Sequence, residues 1–352
     1  MPLLLARDGR DQRLGLPANN AAVEHGTLAK VALGRALFFD KRLSGDGTIS
    51  CASCHQPERA FSDGKVLAQG IGGRTGTRNT PTLLNAVFNT SQFWDGRRDS
   101  LDSQALDPFL NAREHGLAGQ RHLLDLLRRD PGYVKAFFDV FQVAGDAIQM
   151  EHVGEAIAGF ERTLVVGGSD FDRYYYGREE GALSPGARRG LDLFRGRALC
   201  VSCHTIGKNS ALFTDNLFHG LSVGLPSIAQ RLPELTTRLV RSRAQTGNLG
   251  QTVLSEGDIA ELGRFVVTLQ PRDIGKFRTP SVRNVALTAP YMHDGSVATL
   301  AQAVELEIYY RSAESGRPLI LTPLEKGDLV EFLHSLSSPA ALATPSPPIT
   351  QP

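Results

Sequence analysis

The chain has 352 residues, 41% of them hydrophobic, and a formal net charge of +1. That length accommodates two domains, and that hydrophobic share supports real cores. A near-zero charge without a basic stripe argues against nucleic acid or a membrane surface as partner. No apolar run reaches the ~18 residues that would span a bilayer.

In chain order, residues 1–20 read as an N-terminal arm, and Met1 to Ala6 is too short for a signal peptide. Apolar positions at helical spacing predict a helix over Leu28–Phe39. Cys51-Ala52-Ser53-Cys54-His55 follows, then a long Gly/Pro/Asn loop from Gly64 to Thr82. Further helices are predicted over Arg121–Leu127, Pro131–Phe141 and Glu151–Leu164. A domain boundary falls near Gly181–Gly186. The helix Pro185–Phe194 comes next, with Ser184 as N-cap and proline at its first position. Cys200-Val201-Ser202-Cys203-His204 precedes a second long loop, Gly207–Gly257. Helices over Asp258–Leu269, Leu300–Tyr310 and Pro323–Leu336 complete the pattern, and Thr322-Pro323 repeats the cap signal. The Pro/Ala/Ser/Thr-rich stretch from Ser337 reads as a disordered tail. The expected fold is all-α, with domains at 21–180 and 181–338 and the tail at 339–352.

Both cysteine pentapeptides read C-x-x-C-H, the attachment signature of c-type haem. Two thiols form thioethers with the haem vinyl groups, and the adjoining histidine becomes the proximal iron ligand. The motifs use all four cysteines, Cys51, Cys54, Cys200 and Cys203. A four-cysteine zinc site would leave His55 and His204 unexplained. Covalent haem attachment takes place outside the bacterial cytoplasm, so the expected compartment is the periplasm, with a leader already removed.

The two motifs belong to an internal repeat. Gly34-Arg35-Ala36-Leu37-Phe38 precedes the first and Gly190-Leu191-Asp192-Leu193-Phe194 the second. Phe61-Ser62-Asp63 follows the first and Phe213-Thr214-Asp215 the second. Thr80-Pro81 to Asn85 matches Thr279-Pro280 to Asn284; Asp95-Gly96 and Asp294-Gly295 stand ten residues beyond those asparagines. Leu101 and Leu300 each lie six beyond the aspartates. Each half therefore reads helix, haem motif, turn, T-P segment, D-G turn, helix.

These residues, with Arg78-Asn79-Thr80-Pro81, Gln92-Phe93-Trp94-Asp95-Gly96-Arg97 and Pro290-Tyr291-Met292-His293-Asp294-Gly295, resemble the bacterial di-haem cytochrome c peroxidase family, including its MauG branch. The resemblance runs from about Leu28 to Leu336. It implies two cytochrome-c-like domains with one c-type haem each and a calcium ion between them. The first haem would react with hydrogen peroxide; the second, six-coordinate, would pass electrons.

By register the resemblance makes Glu114 the distal acid–base group, Gln104 its pocket companion and Trp94 a relay between the haems. Asn79, Thr288 and Pro290 match calcium positions, the last two through backbone carbonyls. His219 and His293 would lie near the second haem in structural roles. In the family's peroxidases a histidine from the loop after the first motif caps the first haem. Asp63 to Asn79 contains no histidine, which predicts an open iron as in MauG, unless His115 or His122 fills the place. The second haem's distal ligand is Glu307, Tyr309 or Tyr310. Of the methionines Met1, Met150 and Met292, none stands at the family's ligating position. MauG's surface tryptophan before the second motif is replaced by Arg197-Ala198-Leu199.

The expectation is a MauG-like enzyme that uses hydrogen peroxide to oxidise a periplasmic partner protein at tryptophan or tyrosine through high-valent haem iron. The alternatives are a cytochrome c peroxidase fed by a small cytochrome, and a non-enzymatic electron carrier.

Overall fold

The structure is a computed structural model describing residues 13–18, 26–246, 249–316 and 318–342. Nine longer helices carry the described fold: α1 (Leu28–Phe39), α2 (Gln120–Arg129), α3 (Pro131–Phe141), α4 (Met150–Glu161), α5 (Pro185–Arg195), α6 (Leu232–Thr246), α7 (Leu249–Ser255), α8 (Leu300–Ser315) and α9 (Pro323–His334). The only strands among the described residues are β1 (Phe218–His219) and β2 (Phe277–Arg278), paired antiparallel.

The helix starts follow local chemistry. Thr27, Ser184 and Thr322 each accept a backbone N–H three residues on, satisfying a donor the helix cannot pair internally. α1 packs on α4, and α5 packs on α9, through equivalent glycines. A Cβ at Gly34 would collide with the Ala156 carbonyl, and one at Gly190 with the Asp328 carbonyl. Both are the first residue of the repeated G-x-x-L-F segment, so the repeat encodes a close helix crossing.

Two cores result. Leu37, Phe38, Phe109, Leu127, Phe137 and Phe160 fill the first; Leu191, Phe194, Phe213, Phe332 and Leu336 fill the second. The asparagines of the T-P segments staple them alike. Asn85 and Asn284 both sit in the left-handed region, at φ 63° and 59°. The Asn85 N–H donates to the Leu164 carbonyl at 2.8 Å, and its Oδ1 accepts from Val166 N at 2.9 Å. The Asn284 N–H donates to the Leu336 carbonyl at 3.1 Å, and its Oδ1 accepts from Ser338 N at 2.8 Å.

Four boundaries differ from the sequence reading. Phe171 already belongs to the second core, ahead of the division expected at 181, because the helix Asp170–Tyr175 stacks it on Tyr175 and edge-on to Phe213 and Phe332. The stretch expected as a loop at 207–257 contains α6 and α7. With Ile228, Leu235, Leu239, Val253 and Ile259 they build a third cluster of their own. The helix expected over 258–269 is broken into Gly257–Ala260 and Phe265–Thr268, with Gly263 between them at φ +58°. Finally, the expected tail begins too early. Pro339–Leu342 forms a 3-10 turn whose Ala340 and Ala341 return to the first core. Residues 343–352, and most of the expected arm at 1–20, lie outside the described residues.

Candidate haem cavities and the junction between them

Each C-x-x-C-H histidine is oriented in the same way. His55 Nδ1 lies 3.1 Å from the Phe61 carbonyl, and His204 Nδ1 lies 3.0 Å from the Phe213 carbonyl. Both phenylalanines have positive φ, 58° and 52°, which turns their carbonyls back onto the rings. A hydrogen bond at Nδ1 fixes the tautomer and leaves Nε2 free to ligate. Burial lowers both imidazole pKa values, favouring the neutral form that a metal requires.

The cysteines are not paired as disulfides. Burial pushes the Cys54 and Cys200 thiols up to about 12 and raises Cys51 as well. Reactive cysteines have depressed values. Uncharged sulfurs in apolar surroundings instead suit thioethers. Buried guanidinium nitrogens supply a second test of fit. Arg78 Nε and Nη1, Arg97 Nε and Arg278 Nε have no acceptor in the structure. Buried donor atoms left without an acceptor are costly, and the two propionates of a haem are anions suited to such donors. The residues present therefore fit c-type haem.

Around the first motif, the loop 64–82 reaches from the cysteines to the expected acid–base residue. Cys54 Sγ contacts the Gln69 carbonyl at 3.6 Å, and two residues on, Ile71 N–H donates to the Glu114 carbonyl at 2.9 Å. Burial raises the Glu114 carboxyl to about 7, with Arg97 pulling in the opposite direction. Gln104 closes the short helix Leu101–Gln104, which packs on α4. His115 is held elsewhere: edge-on to Phe109 with ring centroids 4.8 Å apart, Nδ1 towards the Leu43 carbonyl, its pKa lowered by burial to about 4. His122 is exposed on α2.

One buried carboxyl was not foreseen. Glu161, at the end of α4, is 4% exposed, has an Oε2 without a hydrogen-bond partner, and is raised by burial to about 8. It also helps raise the Cys51 thiol. Its one sequence signal is a glutamate closing the apolar run Ala156-Ile157-Ala158-Gly159-Phe160.

The second motif opens on a cavity lined by Cys200, Cys203, His204, Phe194 and Leu333. One face of α8 forms a wall: Leu300, Ala303, Val304, Glu307, Ile308 and Arg311 recur at helical spacing. Glu307 therefore faces the cavity. Tyr309 does not: at 68% exposure it points to solvent, because two residues along a helix turn the side chain away. Tyr310 is half-buried and is not among the lining residues. Met292 lines the cavity from the turn after Pro290. His219 pairs with Asp215 at 2.8 Å, and His293 stacks on Phe277 and reaches Glu261 at 2.8 Å.

The same cavity extends to Asn79, Trp94, Thr288 and Pro290, so the expected relay and calcium positions converge. An amide and two carbonyls suit a hard cation whose shell is completed by water. The inserted third cluster braces this junction. Arg264 donates to the Asp95 and Gly96 carbonyls at 2.9 and 2.7 Å, and Glu261 meets both Arg78 and His293.

Comparison with known proteins gives the family. A family model described as di-haem cytochrome c peroxidase matches residues 28–180. The cytochrome-c peroxidase IdrP1 of Denitromonas iodatirespirans is 38% identical over 334 residues, covering 92% of this chain and 84% of that protein. The methylamine utilization protein MauG of Methylorubrum extorquens is 35% identical over 330 residues, covering 92% and 82%. A solved MauG-like protein associated with microbial copper homeostasis superposes with a TM-score of 0.74 at 31% identity, over 96% of this chain and 97% of that one.

Proposed function

The chain belongs to the di-haem cytochrome c peroxidase and MauG family and is a peroxide-dependent oxidoreductase, and from that premise we propose that it oxidises tryptophan or tyrosine side chains of a partner protein in the periplasm. The observation that carries this reading is the makeup of the distal walls. The loop 64–82 brings Glu114 and no histidine towards the first motif, and α8 presents Glu307 to the second cavity. An anionic oxygen on the second iron stabilises its oxidised states and disfavours reduction by an ordinary cytochrome.

When bound, the haems supply an iron at which the peroxide O–O bond is cleaved and a second centre that conducts electrons. The protein does the rest. His55 and His204 would hold the irons through Nε2, and Cys51, Cys54, Cys200 and Cys203 would fix the rings covalently. Glu114 would move a proton from one oxygen of the peroxide to the other. Gln104 orients the peroxide. Trp94 would conduct between the two haems, and Asn79, Thr288 and Pro290 would hold a calcium ion at the junction.

A second reading has one observation in its favour: Met292 lines the second cavity and offers a thioether. Methionine ligation raises the reduction potential and would suit a cytochrome c peroxidase drawing on a small cytochrome. Adding hydrogen peroxide to the oxidised protein without reductant separates the two. Prompt bleaching of the resting spectrum at both haems supports partner-protein oxidation. A requirement for prior half-reduction, with activity tracking cytochrome c oxidation, sinks it.

A further inference from the structure

A folded partner protein is too large to enter the second cavity, so its electrons must cross the protein surface. The segment Arg197-Ala198-Leu199, just before the second motif, offers no aromatic ring for that purpose. The α8 wall of the same cavity does. Tyr309 is 68% exposed, and its ring meets Tyr310 edge-on with centroids 5.2 Å apart.

Side chains advance by about 100° per residue around a helix. On α8, Tyr310 therefore points about 60° to one side of Glu307 and within about 20° of Ala303, and both of those residues line the cavity. Tyr309 points to the opposite side, into water. The pair thus spans from the cavity's edge to solvent. Neighbouring contacts hold it in place. Lys326 on α9 pairs with Glu305, one turn before Tyr309, at 2.7 Å. Arg311, next to Tyr310, donates to Ser202 Oγ at 2.8 Å and lies 3.2 Å from Cys203 Sγ, which pins this turn of α8 to the second motif.

We propose that Tyr309 and Tyr310 form a two-ring electron port from the protein surface to the second cavity. The port rests on the partner-oxidation reading and gives it a docking point. Reduction of hydrogen peroxide to two waters consumes two electrons and two protons. Two successive one-electron oxidations of the partner's aromatic side chain supply both. Tyr310 passes an electron inward and is refilled from Tyr309, which is refilled from the partner. A phenol that loses an electron sheds its proton, to water at the exposed Tyr309 ring, and regains one when the next electron arrives. Tunnelling falls off steeply with distance, so two rings in contact outpace a single jump from surface to cavity.

The test uses the haem-loaded protein without any partner. It is treated with hydrogen peroxide and a nitroso spin trap, and the peptides are mapped by mass spectrometry while the absorption spectrum is followed. The expected adduct is on Tyr309. It is absent in Tyr309→Phe, at least tenfold weaker on Tyr309 in Tyr310→Phe, and unchanged in Tyr174→Phe, a control on the helix Asp170–Tyr175. The port is overturned if the absorbance responds to peroxide but Tyr309 carries no adduct, or if Tyr310→Phe leaves the Tyr309 adduct intact. Absence of any absorbance response overturns the partner-oxidation reading, and the port with it.

Discussion

The indole N–H of Trp94 donates to the backbone carbonyl of Asn79 across 3.0 Å, and the N–H of that same Asn79 donates to the His293 carbonyl at 2.9 Å. One residue thus joins the D-G turn of the first half to the D-G turn of the second. Trp94 is joined to the second half directly as well, its own carbonyl accepting from Arg278 N at 2.8 Å. An indole fixed from both sides keeps a constant distance to each cavity, which a conducting ring needs.

Trp94→Phe keeps an apolar ring but removes the indole donor, at a cost of about 1 kcal/mol. The peroxide response at the first haem is expected to persist, while the response at the second slows at least tenfold. Stopped-flow absorbance at wavelengths separating the two haems reads both. Equal slowing of both responses would mean that Trp94 supports the fold and not the transfer.

With Glu114 in the proposed acid–base role, its titration sets the pH dependence of the peroxide step. It can accept a proton only when ionised, and burial raises its pKa from 4.5 to about 7. The rate is expected to rise with pH through about 7 and then level off. Glu114→Gln should lower the plateau ~10²–10⁴-fold and flatten the profile. The same shift carries a stability consequence of known sign. The folded protein holds this proton more tightly than the unfolded chain, so the group's contribution is present at acid pH and is lost as pH rises from 4.5 towards 7.

The haem motifs and the repeat were legible because they are local. A cysteine pair, a glycine where two helices cross and an asparagine in the left-handed region each leave a fixed residue type at a fixed place. Both Asn85 and Asn284 could be matched from spacing alone, although their partners Val166 and Ser338 could not. The third cluster was missed because α6 is mostly polar: Leu235 and Leu239 are fully buried, but Arg238, Arg241 and Arg243 lie between and beyond them. The domain boundary was misjudged because glycines at 181 and 186 outweighed Phe171, whose burial depends on residues more than forty positions away in sequence, Phe213 and Phe332. Among the candidate distal ligands, helical spacing from Leu300 separates Glu307, on the cavity-lining face, from Tyr309, which faces solvent.

A buried ion pair ties the helix Asp170–Tyr175 to the T-P segment of the second half. Arg283 donates to both oxygens of Asp172 at 2.8 Å, with the side chains 2% and 0% exposed, and its Nε also reaches the Ala211 carbonyl at 2.6 Å. Removing one partner strands a charge in a dry site. Asp172→Ala is expected to destabilise the fold by about 3–5 kcal/mol, read as an earlier midpoint in urea with the slope unchanged. A change below 1 kcal/mol would show that water reaches the site.

The second cavity's ligand decides between the two functional readings, and three substitutions separate the candidates. Glu307 faces the cavity from α8, Met292 lines it from the turn after Pro290, and Tyr309 faces solvent. Removal of a true axial ligand converts a low-spin ferric haem to high-spin or recruits a new ligand with a different low-spin signature; removal of a neighbour does neither. Glu307→Leu is therefore expected to change the low-spin EPR signal of the resting protein, whereas Met292→Leu and Tyr309→Phe leave its g-values in place. The reduction potential follows from the same chemistry. Losing an anionic oxygen ligand removes the stabilisation of the ferric state, so the second haem of Glu307→Leu should reduce more readily with dithionite or a reduced small cytochrome. A signal that instead disappears in Met292→Leu would assign a thioether ligand, and with it the cytochrome c peroxidase reading.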